Sequence, residues 1–307
     1  MAKKPEDILF ELDNQLLNAV DSFNDGIPKM QEEMLNRVID LTSDLDRKNG
    51  NIIVSVKNLR IIRSIRKELT NAIINDDYTK KVDDFVAQFE KVQQINDQYF
   101  ASISTSFSKR ELYTEIRKLA VEQTLEGLSA AGIEGEVIVP LADILSKNVT
   151  QGGKYTDFVG QVREYLTNTE TSKGALDRYA KTYTTDSLYQ FSANYNQTIT
   201  EDLGFEWFQY AGDIQDTSRE FCDEMVKARN NGCLKYIHVS QFDDLLKGRI
   251  CNKQVDINRR TNLPNGFYDN TTTTNFQTYR GGWNCKHRLT AVPSAVVPKS
   301  LRELYEK

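Results

Sequence analysis

Residues 8–23, ILFELDNQLLNAVDSF, set the fold class. Ile8, Leu9, Leu12, Leu16, Ala19, Val20 and Phe23 recur at steps of three and four, which gathers them on one helical face. Asp25-Gly26 breaks that run, and Pro28 falls where a first helical turn tolerates a missing N–H. A second stripe follows in Met30, Met34, Val38, Leu41 and Leu45, ended by the polar turn at 46–50. Leu59, Ile62, Ile65, Leu69, Ala72 and Ile73 form a third, and Val82, Phe85, Phe89, Val92 and Tyr99 a fourth. Stripes of this spacing with short polar breaks describe antiparallel helices packed as a bundle or coiled coil over residues 1–103.

A middle helical region is expected over 104–204. Ser108 and Glu111 have the spacing of a capping box, ahead of a helix with Leu112, Ile116, Leu119 and Leu125 on its inner face. Residues 129–132 read as a breaker, and Val137-Ile138-Val139-Pro140 as a brief extended or helix-entry segment. Helices resume with Leu141, Ile144 and Leu145, and with Phe158, Val162, Tyr165 and Leu166. A long helix then covers 173–203, with Leu176, Tyr179, Tyr183, Leu188, Phe191, Tyr195 and Ile199 inward and Gly204 as its C-terminal cap.

The pattern changes after Gly204. Residues 205–210 are aromatic and weakly alternating, as in a strand. Asp216 or Thr217 can cap a short helix that Asn230-Asn231-Gly232 ends, and 289–293 suit a closing strand. The fold expected is therefore mainly α: elongated helical N-terminal and middle regions, followed by a small α+β domain over 205–307.

The chain has 307 residues, of which 27% are charged and 39% hydrophobic, enough for two or three modest cores. No apolar run is long enough to span a membrane. The start lacks a signal peptide's apolar stretch, so synthesis in the cytoplasm is expected. From Arg219 onward 15 Lys and Arg face 9 Asp and Glu, a balance of +6 against −11 for the rest of the chain. A mildly basic end on an acidic body suits an acidic partner surface or nearby nucleic acid, or is simply a solvated basic face.

Two short motifs carry the chemistry-bearing side chains. One is Asp216-Thr217-Ser218-Arg219-Glu220-Phe221-Cys222, the other Gly281-Gly282-Trp283-Asn284-Cys285-Lys286-His287-Arg288. Cys285 and His287 have the residue types of a thiol nucleophile and its base, but no orienting carboxylate is identifiable from sequence. Cys222, Cys285 and His287 offer three metal donors, with Cys251, Cys233 or His238 as a fourth, although structural zinc more often shows two close ligand pairs. A Cys222–Cys285 disulfide and a pair of buried thiols are the alternatives. Four Cys do not make a disulfide framework, and a cytoplasmic origin favours thiols or a metal. Arg219 and Arg288 suit carboxylate or carbonyl partners that hold the motifs together. No phosphate-binding glycine loop occurs, so no cofactor is expected beyond a structural zinc.

An Arg-x-x-Cys, here Arg219 to Cys222, closed by Gly-Gly-aromatic-Asn-Cys-Lys-His at Gly281 to His287, resembles the tailed-phage minor head proteins related to the F protein of phage Mu. The run-up at Leu176-x-Arg178-Tyr179, Leu203-Gly204-Phe205 and Tyr210-Ala211-Gly212 fits as well, so the resemblance covers roughly residues 174–293. Many members carry Cys-x-x-Cys in the first motif and Cys-x-Cys in the last, where this chain has Glu224-Met225 and His287. The resemblance implies a non-enzymatic virion protein of the head or head–tail connector. Such a protein associates with portal or major capsid protein in several copies, close to packaged DNA, and acts in head morphogenesis, packaging or ejection. The rival expectation is a phage-delivered enzyme, a thiol-dependent effector or nuclease using Cys285 and His287.

Overall fold

The computed structural model describes residues 3–305; the outermost residues of the expected first and last regions, and the side chains of Ala72 and Asp76, lie outside the described residues. The fold is mainly α. Helices α1 (Pro5–Asn24), α2 (Ile27–Ser43), α3 (Val56–Ile73), α4 (Asp76–Val86) and α5 (Gln88–Ile103) realise the apolar stripes. The fourth stripe is two helices, because the chain turns at Ala87. Pro28 lies in the first turn of α2 as expected. Between α2 and α3 the expected polar turn is the tip of a hairpin, β1 (Arg47–Lys48) with β2 (Asn51–Ile52). Its Asn49-Gly50 pair has φ of 52° and 80°, the left-handed pair that an Asn-Gly two-residue hairpin requires.

Helix α6 (Glu111–Gly127) departs from expectation at its start and on its face. It begins at Glu111 itself, where Arg110 Nη1 and the Tyr113 hydroxyl both meet the Asp202 carboxylate, at 2.5 and 2.7 Å. Ser108 is therefore outside the helix. Leu112, Leu119 and Leu125 are exposed, whereas Tyr113 and Thr124 are buried, because an apolar spacing of three and four leaves the inward face undetermined when the opposite face carries anchoring polar contacts. The supposed breaker is also helical. α7 (Ala130–Ile133) continues through a π-turn at Glu134–Ile138 into α8 (Val139–Gln151), with Pro140 in the first turn of α8. Gly132 serves close packing here: a Cβ on it would lie 2.0 Å from the Gly127 carbonyl oxygen and 2.8 Å from the Tyr179 hydroxyl. Then come α9 (Tyr155–Leu166) and the long α10 (Ala175–Leu203), followed by Gly204 at φ 66°.

The rest of the chain is short elements: β3 (Trp207–Ala211), α11 (Glu220–Asn230), β4 (Ile237–His238), α12 (Phe242–Leu246), β5 (Arg249–Ile250), β6 (Lys253–Gln254), α13 (Phe276–Tyr279), β7 (Arg288–Val292) and α14 (Lys299–Tyr305). β3 is the centre of an antiparallel sheet ordered β4-β3-β7, and β5 pairs with β6. Helix α11 starts at Glu220 with Arg219 as its flanking residue, not at Asp216 or Thr217. Those two residues occupy a turn closed by Ser218, whose N–H donates to the Gln215 carbonyl at 2.8 Å and whose Oγ accepts from the Gln215 N–H at 2.9 Å.

Packing divides the chain into two compact units, and neither is one stretch of sequence. The first holds Met1–Leu16, Phe89–Ala120 and Thr185–Lys307; the second holds Leu17–Gln88 and Val121–Thr184. The expected regions 1–103, 104–204 and 205–307 are divisions along the sequence, whereas each of these units draws on separate stretches of it. In the second unit α3 packs on α2 and α8, and Leu69, Ile65, Val38, Leu141, Phe158 and Val162 are buried there. In the first unit Phe89 meets Phe191 with ring centres 5.1 Å apart, and the Tyr99 hydroxyl donates to the Ala291 carbonyl on β7 at 2.5 Å. No helix among the described residues is long and apolar enough to cross a membrane.

Candidate metal centre

The first unit brings the two motifs together. α11 presents Cys222 from its first turn, and the segment before β7 presents Cys285 and His287. The two sulfurs are 4.0 Å apart, and Cys285 Sγ is 3.8 Å from His287 Nδ1. All three donor atoms lie within 4.8 Å of one another. Cys222 is buried, while Cys285 and His287 are partly so. Arg219 fastens the clasp from outside: its Nη2 donates to the Trp283 carbonyl at 2.6 Å. Arg288 does not join the motifs; it reaches Asp13 and the Leu9 carbonyl on α1 instead.

The glycine pair is dictated by this closeness. Gly281, at φ 77°, would put a Cβ 2.3 Å from Cys285 Sγ and 3.4 Å from Cys222 Sγ. Gly282, at φ 62°, would put one 1.7 Å from the Gly266 carbonyl oxygen, which is backbone and cannot swing aside. Gly282→Ala is therefore expected to cost about 2 kcal/mol or more, above the usual penalty for Ala at positive φ. Urea denaturation would measure it, and an unchanged midpoint would contradict the packing described.

The remaining nominated ligands are elsewhere. Cys233 and Cys251 are joined in a disulfide, since the tight β5–β6 turn, with Cys251 at φ 54°, brings its Cα within 6.3 Å of that of Cys233 after α11. Neither thiol can serve as a fourth ligand, and the expectation of thiols or a metal only is corrected for this pair. His238 is buried between Trp207 and Tyr305, with its Nδ1 2.8 Å from Ser240 Oγ, and is not part of the cluster.

Several neighbours were not legible from sequence. Tyr210 stacks on the His287 ring at 5.3 Å and 18°, and burial pushes its hydroxyl far up. The His287 Nε2–H donates to the Asp213 carbonyl at 3.2 Å, which turns Nδ1 toward Cys285. A recess beside the cluster is lined by Cys285, His287, Arg280, Asp186, Tyr268 and Gln190. Arg280 is buried, donates from Nη2 to the His287 carbonyl at 2.9 Å, and has no carboxylate within ion-pairing distance among the described residues. Burial lowers its guanidinium below the ordinary range. The two thiols share their protons unequally. The hydrogen bond from Cys222 holds Cys285 well below an ordinary thiol, helped by His287 and Arg280, and pushes Cys222 up together with burial.

Asp186 on α10 accepts the Asn284 N–H at 2.6 Å and the Tyr268 hydroxyl at 3.3 Å. Burial nevertheless raises its carboxyl from 3.8 to about 6. Folding thus favours the protonated form. The resulting stabilisation is complete below about pH 4 and is lost as pH rises through 6, an effect of up to about 3 kcal/mol. Asp186→Asn keeps a neutral acceptor for Asn284, so it is expected to flatten the stability profile between pH 4 and 7 in chelator-treated protein. Parallel profiles for the two proteins would contradict the assignment.

No family model, curated protein or solved structure matches this chain.

Proposed function

We propose that the chain is a non-enzymatic structural component of a tailed-phage head, a minor head protein that associates with the portal or the inner capsid. The observation that carries the reading is the clasp itself. Arg219 and Cys222 close on Gly281–His287, so the residues of the resemblance meet at one place although 63 positions separate the two cysteines. A side-chain clasp that fixes the two ends of an irregular, strand-poor segment is a structural device, and small segments of that kind lack the core to hold themselves. The partners in this reading are portal and major capsid protein, several copies enter each virion, and packaged DNA lies nearby.

The test is co-expression with the portal and major capsid proteins of the phage that encodes it, followed by cryo-electron microscopy of the particles. Density for this chain at the portal or the inner shell is expected. Particles that assemble and package normally while excluding it would sink the proposal. A second reading, a phage-delivered thiol enzyme, draws on the 3.8 Å approach of Cys285 to His287 beside a recess. It requires rapid, stoichiometric alkylation of Cys285 by iodoacetamide in the native chain and particles that form normally with Cys285→Ala.

A further inference from the structure

We propose that Cys222, Cys285 and His287 bind one zinc ion through two thiolates and an imidazole, and that the fourth ligand is a small anion taken from solution and held against Arg280. The inference does not depend on a role in a phage head.

The distances carry the first half. Zinc bonds of about 2.3 Å to sulfur and about 2.0 Å to nitrogen, set tetrahedrally, place two sulfurs about 3.8 Å apart and a sulfur and a nitrogen about 3.5 Å apart. The observed separations are 4.0 Å between the sulfurs and 3.8 Å from Cys285 Sγ to His287 Nδ1. Two edges of such a tetrahedron are therefore already within a few tenths of an ångström of their ideal lengths, and the third, from Cys222 to His287, is no longer than 4.8 Å. His287 is prepared as a metal ligand is. Its Nε2–H is fixed by the Asp213 carbonyl, leaving Nδ1 as the lone-pair donor toward the sulfurs. Gly281 and Gly212 leave the space: a Cβ on Gly281 would sit on Cys285 Sγ, and one on Gly212 would lie 2.6 Å from the His287 ring. Two thiolates with an imidazole select a thiophilic borderline cation over magnesium or calcium.

The second half follows from what is missing among the described residues. The other two cysteines are bonded to each other, and His238 is packed against Trp207. Asp186 is held by Asn284 and Tyr268 and is not among the mutually close donors. No fourth protein ligand is in place, so the position is filled from outside. Two thiolates cancel the charge of zinc, so they no longer offset the Arg280 guanidinium, which faces the same recess with no carboxylate in ion-pairing contact among the described residues. Arg280 is 3% exposed, its Nε has no hydrogen-bond partner, and it lines the same recess as Cys285 and His287. A buried cation without a counter-charge is costly, and an anion on the zinc beside it removes that cost.

The test uses the reduced full-length chain, stripped with chelator and reloaded with cobalt(II) as a spectroscopic stand-in. One cobalt per chain is expected, with thiolate-to-cobalt charge transfer in the near ultraviolet and intense tetrahedral bands in the red. Cys222→Ser and Cys285→Ser should each lose the one-to-one complex, while Cys233→Ser/Cys251→Ser should keep the spectrum. Since a variant can fail by misfolding, X-ray absorption of the zinc-loaded wild-type chain is the second measurement, with two sulfurs, one imidazole and one further light ligand expected. Titration with azide or inorganic phosphate should shift the cobalt bands of the wild-type chain. Failure to take up either metal, or a Cys222–Cys285 disulfide in its place under reducing conditions, overturns the zinc site. Four protein ligands in the absorption data, or bands that no anion moves, overturn the exogenous fourth ligand.

Discussion

Leu69→Asp and Phe89→Asp are each expected to unfold the unit in which they sit. Both side chains are fully buried, Leu69 in the second unit on α3 and Phe89 in the first on α5 against Phe191. Two costs add. Removing the apolar side chain forfeits about 2–5 kcal/mol of transfer and packing energy. Placing a carboxylate there adds several kcal/mol more, because a charge at a fully buried apolar position loses its hydration. The sum approaches the whole stability of an ordinary domain, about 5–15 kcal/mol. Circular dichroism and urea denaturation of the purified full chain check it. Leu69→Met, which keeps volume and polarity, should cost less than about 1.5 kcal/mol. A cooperative transition at the wild-type midpoint for either Asp variant would contradict the cores described.

The helical part of the fold was legible because its stripes are one-sided: residues such as Leu12, Leu16 and Val38 recur in register and are all buried. Legibility failed where local pattern and packing part company. The spacing of Leu112, Ile116 and Leu119 is helical, yet it names the wrong face, since Tyr113 is drawn inward by Asp202. Gly132 reads as a breaker by composition, although its role is to let Tyr179 and the Gly127 carbonyl come close. Residues 46–50 read as a polar turn, and the Asn49-Gly50 hairpin within them has strands of only two residues on either side, too short for an alternating pattern to show. At the site, motif residues showed which side chains meet: Cys222 with Cys285, and Arg219 with Trp283. Asp186, Tyr210 and Arg280 could not be found this way, because they arrive from a long helix, a strand and a loop, and only the closed chain makes them neighbours. The Cys233–Cys251 disulfide is invisible in sequence for a related reason, as its proximity comes from the β5–β6 turn and not from any spacing rule.

Asp13→Ala is expected to destabilise the first unit more than Arg288→Met, although the two side chains form one ion pair. Arg288 Nε and Nη2 donate to the two Asp13 oxygens at 2.8 and 2.7 Å, a bidentate arrangement. The guanidinium also reaches the Leu9 carbonyl and Thr290 Oγ1, both at 3.2 Å, so it ties β7 to α1. Burial is unequal: the Arg288 side chain is 9% exposed and that of Asp13 is 47%. Taking away the arginine leaves a carboxylate that water can reach, and methionine retains much of the apolar stem, so about 1–2 kcal/mol is expected once solvent screening is allowed for. Taking away the carboxylate strands a buried guanidinium with only a carbonyl and a hydroxyl, which costs about 3–5 kcal/mol. The double variant should then be more stable than Asp13→Ala alone, because the stranded charge is gone. Denaturant midpoints of the wild type, both single variants and the double variant test this as a cycle. Equal losses for the two single variants, or a double variant that simply adds them, would show that Arg288 is solvated enough to stand without Asp13.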